Sequence, residues 1–193
     1  TLAHMYEVLL TLQELKNEGK VREFGLSNES AWGTSQWVRM AEQHDLPRMV
    51  AIQNEYSLLC RLFDTDLSET VHNEEIGLLA YSPLAAGILS GKYSPDVTPD
   101  GSRRSLNESL GGRINEYLWP ALDAYRDIAN RHGLDLCQMA IAWTLTRPFM
   151  ASSIIGATSM QQLETILGAA DLVLSDEVMA DIQTAFRKHP MPY

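Results

Sequence analysis

Apolar and polar residues follow two rhythms along this chain, one typical of amphipathic helices and one of buried strands. Apolar side chains recur at helical spacing over residues 2–15, and Gly19 marks the end of that helix. Short apolar runs then predict strands over residues 21–26, 49–53 and 76–81. Their ends are 27 or 28 residues apart, the length of a strand–helix unit whose next strand runs parallel. The pattern therefore predicts a parallel α/β fold.

The later part of the chain keeps the alternation of strands and helices. A fourth strand is predicted over residues 152–156. Two pairs, Asp135 with Gln138 and Ser159 with Gln162, have the spacing of capping boxes. Helices are predicted over residues 37–44, 62–75, 121–130, 135–146 and 159–169, and a last one begins after Ser175.

Residues 82–116 break the rhythm with repeated Gly and Pro. A loop far longer than the usual ~4–6 residues is usually functional, so we expect it to contact a cofactor or substrate. We expect residues 1–193 to form a single partial domain, because four strand–helix units are half of an eight-unit barrel of about 250 residues. A complete four-stranded open sheet has the same periodicity and is the alternative.

Composition narrows the class of protein. The chain is 45% hydrophobic and 21% charged, as in globular domains, and no apolar run reaches the ~20 residues of a membrane span. A formal net charge of −10 disfavours nucleic acid and anionic lipid, so we expect neither as a partner. Cys60 and Cys137 are far apart beside apolar residues, which predicts buried free thiols in a reducing, cytoplasmic compartment. The histidines show no spacing typical of a metal site.

Polar and aromatic side chains stand at the predicted strand ends, where parallel α/β folds place their chemistry. Ser27, Asn28 and Gln53 offer donors and acceptors for a carboxamide, and Tyr81 offers a ring for stacking. Taken singly, each also fits a turn, a cap or a core position. Their occurrence at consecutive strand ends favours a planar heteroaromatic amide as ligand.

A second candidate site is the Gly156–Ser159 segment ahead of a helix. Backbone N–H groups and the helix dipole favour a phosphate there, and Lys92 and Arg103 of the long loop would supply cations. Simple helix capping and solvated loop charges are the alternative interpretation.

Several well-known motifs are absent from the sequence. It contains no Gly-x-Gly-x-x-Gly, no phosphate-binding Walker loop, no Gly-x-Ser-x-Gly and no Tyr followed four residues later by Lys. Glu55, Tyr56 and His72 are possible acid–base groups, but nothing in the sequence pairs them. We therefore assign no catalytic residue and no metal ligand.

Four segments, in the correct order, resemble the last four barrel strands of the aldo-keto reductase family. The resemblance is closest to the bacterial branch related to potassium-channel β-subunits. The segments are GKVREFGLSN from Gly19, IQNEYS from Ile52, AYSPLAAGILSGKY from Ala80 and IGATS from Ile155.

The resemblance implies the C-terminal half of a (β/α)8 TIM barrel, strands five to eight with extra C-terminal helices, that binds NADPH at the strand ends. It implies that Ser27, Asn28 and Gln53 hold the nicotinamide carboxamide and that Tyr81 stacks on the ring. For the phosphates it implies the following residues: Ser82, Pro83, Leu84 and Gly87 along the pyrophosphate, Lys92 and Arg103 from the loop, and Gly156, Thr158 and Gln162 at the 2′-phosphate end.

Two features depart from the family pattern. Gln162 replaces an Arg often used for the 2′-phosphate, and Ile166 replaces an Asn that faces adenine, which leaves NADPH and NADH both open. The family's Asp, Tyr, Lys and His tetrad belongs to the first four strands, upstream of Thr1. Three hypotheses follow: a portion of an NADPH-dependent carbonyl reductase, a non-catalytic dinucleotide-binding or regulatory half-barrel, and an inert truncated product. We also expect self-association or pairing with an N-terminal half, since a half-barrel leaves two unpaired edges.

Overall fold

The computed structural model describes residues 2–193 and has an α/β fold that divides into two compact units. The first unit comprises residues 2–54, 63–79 and 149–152, and the second comprises residues 55–62, 80–148 and 153–193. The elements in chain order are α1 Leu2–Asn17, β1 Phe24–Ser27, α2 Ala31–Gln43, β2 Met49–Glu55, a 3-10 turn Leu62–Asp64, α3 Leu67–Asn73, β3 Gly77–Tyr81, a 3-10 segment Ala85–Ser90, α4 Arg103–Leu106, α5 Leu118–Arg131, α6 Leu136–Leu145, β4 Met150–Ser153, α7 Met160–Leu167 and α8 Asp176–Lys188.

The first unit holds nearly all of a four-stranded parallel sheet with the sequential order β1-β2-β3-β4. One face of the sheet is buried at Leu26, Ile52 and Leu78, and α2 adds Val38 and Ala41 to this core. Sequential parallel neighbours require a crossover helix between strands, which α2 and α3 supply. The parallel α/β fold predicted from the sequence is confirmed.

The second unit is built on helices α5 to α8. Trp143 of α6 is 1% exposed and stacks on Tyr56, with ring centroids 5.3 Å apart and an interplanar angle of 17°. The guanidinium of Arg61 lies 4.9 Å from the Trp143 ring and 3.8 Å from the Phe186 ring of α8. The hydroxyl of the buried Tyr125 donates to the Leu58 carbonyl at 3.0 Å. These contacts tie the 55–62 segment to three helices.

Two strand predictions were displaced along the chain. The first strand is Phe24–Ser27 rather than residues 21–26, and the fourth is Met150–Ser153 rather than residues 152–156. The fourth strand is displaced because the Leu78 N–H already donates to the Phe149 carbonyl at 2.8 Å, which starts the pairing early. The helix predicted over residues 62–75 is interrupted before α3, where the Asp66 side chain accepts from the Leu67 N–H at 2.9 Å.

The capping predictions were half right. Asp135 caps α6 by accepting from the Gln138 N–H at 2.9 Å, but the Gln138 side chain donates to the Thr165 carbonyl rather than returning to the cap. Ser159 caps α7 through the Gln162 N–H at 3.2 Å. Ser175 accepts from the Val178 N–H at 3.3 Å, as predicted for α8. Capping therefore fixes where α6, α7 and α8 begin.

Candidate functional site

In the first unit, the ends of β1 and β2 bring three predicted residues together. Ser27 pairs with Gln53 in the parallel register, and the Asn28 N–H donates to the Gln53 carbonyl at 2.9 Å. Asn28 has a φ of 53°, and its side-chain amide donates to the Ser27 hydroxyl at 3.3 Å. Ser27 and Asn28 are exposed, and Gln53 is half-buried. Hydroxyl and amide groups are thus grouped at the carboxyl ends of β1 and β2.

In the second unit, the backbone after β3 is unusually rich in left-handed conformations. Ser82, Ala85 and Ala86 have φ values of 52°, 48° and 58°, and Gly87 follows at 94°. Each non-glycine residue in this region costs roughly 1–2 kcal/mol, and such strain collects at functional sites. The Ala85 and Gly87 N–H groups donate to the carbonyls of Ser82 and Leu84, at 2.8 and 2.9 Å. The segment Ser82–Gly87, which includes the predicted Pro83 and Leu84, is therefore a constrained turn after β3.

Gly87 and Lys92 lie against each other in this segment. A Cβ built on Gly87 would be 3.5 Å from Lys92 Cε and 3.6 Å from Nζ, and its φ of +94° disfavours any other residue. The Lys92 ammonium also lies 5.2 Å from the centroid of the buried Tyr93 ring, a cation–π contact. The ammonium of Lys92 thus lies beside the main chain at Gly87.

A cavity of about 260 Å³ lies within the second unit. Its lining contains five predicted residues together with six others: Leu84, Gly87, Lys92, Gly156 and Gln162, and then Ser90, Asp135, Cys137, Gln161, Thr165 and Ile166. Whole drug-sized ligands occupy ~300–1,000 Å³, so this cavity suits one end of a larger molecule. Five other predicted residues of this unit lie outside its lining: Tyr81, Ser82, Pro83, Arg103 and Thr158.

The entrance to α7 borders this cavity. The Thr158 N–H and hydroxyl both donate to Gln162 Oε1, at 3.0 and 3.1 Å. An α-helix leaves its first N–H groups without an intrahelical acceptor, so those of Met160 and Gln161 remain for a ligand or water. The positive end of the helix dipole adds to the attraction for an anion. Gln162 is therefore held in place by Thr158 while it lines the cavity.

The two adjacent arginines of the long loop have different surroundings. Arg103, the predicted phosphate ligand, is exposed and lies outside the cavity lining. Arg104 is 9% exposed, donates to the carbonyls of Ser94, Pro95 and Val97, and lies 5.2 Å from the Trp119 ring. Arg104 thus organises the loop, whereas Arg103 is presented to solvent.

Sequence reasoning did not assign the α6 side of the cavity. Asp135 was recognised as a helix cap and Cys137 as a buried thiol, and no motif connected either to a ligand. The α7 side carried a usable signal, because Gln161, Gln162 and Thr165 recur at helical spacing on one face.

A second group of polar side chains surrounds Glu55 at the end of β2. Arg113 Nε and Nη2 donate to the two Glu55 carboxylate oxygens at 3.1 and 2.7 Å, and the Tyr193 hydroxyl donates to Oε1 at 3.3 Å. Burial, followed by the charge of Glu55, raises the pKa of Tyr81 and keeps its phenol neutral. Burial alone would lower the pKa of Arg113, but hydrogen bonds with Glu55 raise it overall. Sequence reasoning had left Glu55 unpaired, since its partner is 58 residues away.

The thiol of Cys137 provides a test of burial at the cavity wall. Burial, then the charge of Asp135, raises the pKa of Cys137 to about 11. We expect alkylation by iodoacetamide at pH 8 to be on the order of 100-fold slower than for a free thiol of pKa ~8.5, because little thiolate is present. The rate, followed by mass spectrometry of the peptide that contains residue 137, should rise with pH up to about 11. Alkylation at the rate of a free thiol at pH 8 would contradict this.

The same shift affects stability at alkaline pH. The folded chain holds the Cys137 proton more tightly than the unfolded chain does. The contribution of this group to the free energy of unfolding is therefore complete below the ordinary thiol pKa of 9.0, and it is lost as the pH rises toward about 11. The free energy of unfolding should therefore decrease between these two pH values.

Residues 2–186 match the model of the Aldo/keto reductase family, and the chain belongs to that family. It is 43% identical over 188 residues to Protein tas of Escherichia coli (strain K12), a match that covers 97% of this chain and 54% of that protein. An aldo-keto reductase of Babesia bovis is 40% identical over 158 residues, covering 79% of this chain and 55% of its own length. A probable voltage-gated potassium channel subunit beta of Arabidopsis thaliana is 31% identical over 173 residues. That match covers 82% of this chain and 53% of the plant protein.

These matches confirm the family and the branch inferred from the strand-end segments. The chain spans about half the length of the relatives it matches. Within residues 2–193, no helix combines the length and the apolar character needed to cross a membrane.

Proposed function

We propose that this chain is the cofactor-binding portion of an NADPH-dependent oxidoreductase that reduces aldehydes or ketones to alcohols. The observation that carries the proposal is the cavity of about 260 Å³, in which Gly87 and Lys92 of the stretch after β3 come together with Gln162 of α7. In this proposal the cavity receives the adenosine end of the dinucleotide. The cofactor, when bound, supplies the hydride, and the residues of the chain bind and orient it.

The phosphate contacts are supported by the backbone and by one cation. The strained turn Ser82–Gly87, which contains Pro83 and Leu84, is proposed to lie along the pyrophosphate, since such strain collects at functional sites. Lys92 beside Gly87 supplies the positive charge that a protein with a formal net charge of −10 needs for an anionic ligand. Gly156, Thr158 and Gln162 are proposed for the 2′-phosphate, supported by the exposed first turn of α7. Arg103 would reach a phosphate from the solvent side of the loop.

Residues at the strand ends are proposed to contact the nicotinamide. Ser27, Asn28 and Gln53 present hydroxyl and amide groups that suit a carboxamide. Tyr81 is half-buried with a neutral phenol, so its ring can stack on an aromatic ligand.

We further propose that the fold is the C-terminal half of a TIM barrel. The sequential strand order supports this proposal, because a doubly wound open sheet reverses its order at a switch point. The two edge strands, β1 and β4, would pair with an N-terminal half or with a second copy of this chain. The small carbonyl substrate would bind when that other half is present. The free, buried Cys60 and Cys137 support a cytoplasmic location.

The catalytic proton is not assigned to this chain. We propose that it is donated by a residue outside the 193 residues, because the resemblance places the family's Asp, Tyr, Lys and His tetrad on the first four strands of the barrel. A non-catalytic dinucleotide-binding role is the second candidate, favoured by the same cavity. Reductase assays with NADPH and a reactive aromatic aldehyde distinguish the two. In this proposal the 193-residue chain has no turnover, whereas the protein extended to the length of its relatives does.

Replacement of Lys92 by glutamine tests the phosphate cradle directly. We expect the affinity for NADPH to fall about tenfold, because one charge-assisted contact is lost from the pyrophosphate. The affinity for NADH should fall by a similar factor, since both dinucleotides carry that group. Calorimetric titration of the chain measures both.

Lys188→Gln is the matched control, because Lys188 is exposed in the last turn of α8 and lies outside the cavity lining. Equal losses in the two variants would show that only the overall charge matters and would refute the role of Lys92.

A further inference from the structure

The cavity contains one acidic side chain that the proposed cofactor contacts do not use. Lys92 and Asp135 are the two charged residues of its lining, and they have opposite signs. The other polar lining groups are neutral, and the hydroxyls of Ser90 and Thr165 already donate to the carbonyls of Gly87 and Gln161, at 2.7 and 3.0 Å. Lys92 is proposed for the pyrophosphate, which both dinucleotides carry, so the choice between ligands that differ by one 2′-phosphate depends on Asp135.

Asp135 is held in place by its role as a helix cap. Its Oδ1 accepts from the Gln138 N–H at 2.9 Å, and the Gln138 side chain in turn donates to the Thr165 carbonyl of α7 at 2.9 Å. The carboxylate is thus fixed relative to both helices that form the cavity wall. A fixed carboxylate can accept from a ribose hydroxyl, and it repels a phosphate at the same position.

We propose that Asp135 is a specificity-determining residue that lowers the preference of this cavity for a ribose 2′-phosphate and accepts a hydrogen bond from a free ribose 2′-hydroxyl. The proposal rests on the proposed function, in which this cavity receives the adenosine end of the cofactor. The α7 N-terminus attracts the additional phosphate, and Asp135 opposes this attraction. The protein then binds the phosphorylated and unphosphorylated dinucleotides with affinities within about tenfold of each other.

Two small probes isolate the cavity from the rest of the dinucleotide. Adenosine 2′,5′-bisphosphate carries the additional phosphate and adenosine 5′-monophosphate does not, and both are titrated calorimetrically into the 193-residue chain. In Asp135→Asn we expect the affinity for the bisphosphate to rise about fivefold and the affinity for the monophosphate to stay the same or fall about twofold. The gain should shrink at high salt, as expected for a partly exposed charge.

The substitution is designed to keep the fold. Asparagine caps a helix as well as aspartate does, and Asp135→Ser provides a second capping variant without the carboxylate. Asp66→Asn is the control, because Asp66 is also an N-cap aspartate, accepting from the Leu67 N–H at the start of α3, and lies outside the cavity lining. Thermal unfolding of all three variants verifies that the caps are retained.

The outcomes separate this inference from the proposed function. A rise in the bisphosphate-to-monophosphate affinity ratio in both Asp135 variants but not in Asp66→Asn supports it. An unchanged ratio with both probes still bound overturns the role of Asp135 and leaves the proposed function standing. If neither probe binds the unmodified chain, the adenosine assignment of the cavity fails, and this inference fails with it.

Discussion

Replacing Trp143 by alanine is expected to reduce the free energy of unfolding by about 4 kcal/mol. Truncation of a buried Trp costs ~3–5 kcal/mol through lost burial and the cavity left behind. Here the ring is 1% exposed, stacks on Tyr56, and has the guanidinium groups of Arg61 and Arg147 at 4.9 and 4.8 Å. Each of those contacts adds a fraction of a kcal/mol beyond burial. Urea denaturation followed by circular dichroism measures the loss without using the missing fluorophore.

Trp143→Phe is the matched variant, since it keeps an aromatic ring at the centre of the stack. We expect it to lose less than half as much stability as alanine. Because α6 also carries Asp135 and Cys137, the alanine variant should weaken ligand binding in the cavity as well. A loss below 2 kcal/mol for the alanine variant would show that the second unit does not depend on this residue.

Replacing Glu55 by glutamine is expected to cost about 2 kcal/mol and to loosen the end of the long loop. The Glu55 and Arg113 side chains are only 18% and 17% exposed. The guanidinium of Arg113 would therefore keep a poorly solvated charge and lose one of its two hydrogen bonds to residue 55. Arg113 also donates to the Leu110 carbonyl at 2.8 Å, so its release frees the neighbouring loop. Hydrogen exchange of residues 107–116 should increase in this variant.

A double-mutant cycle isolates the ion pair from the loss of packing. Arg113→Met removes the charge that Glu55→Gln leaves behind, so the double variant should be more stable than the sum of the single losses predicts. We expect a coupling of about 1–2 kcal/mol. Strict additivity would mean that Glu55 and Arg113 stabilise the chain independently. Tyr193→Phe, which removes a single hydrogen bond to Glu55, should cost about 1 kcal/mol.

Much of the architecture could be predicted because its signals are local. Gly19, with a φ of +70°, follows the first helix where the periodicity ends. Ser175 caps α8 as its position before a helical apolar pattern suggested. Apolar runs at regular intervals predicted the parallel sheet, since strands that are buried in the sheet need apolar residues.

The parts that escaped prediction depend on partners distant in sequence. The early start of β4 follows from pairing with β3, about 70 residues away, which no local pattern at residue 150 encodes. The association of Asp135 with Gln162 in one cavity requires two helices to meet. The pairing of Glu55 with Arg113 depends on the path of an irregular loop. Side chains that serve two roles, such as a cap that also lines a cavity, show only the local role in sequence.

Arg104 has a consequence for how this protein can vary. Its guanidinium donates to the carbonyls of Ser94, Pro95 and Val97. Since these acceptors are main-chain groups, the contacts that hold the base of the loop do not depend on which side chains its neighbours carry. The exposed tip at residues 98–101 can therefore accept new side chains without disturbing what lies beneath. The sequence of that tip can therefore change while the base of the loop keeps its structure, provided that Arg104 is retained.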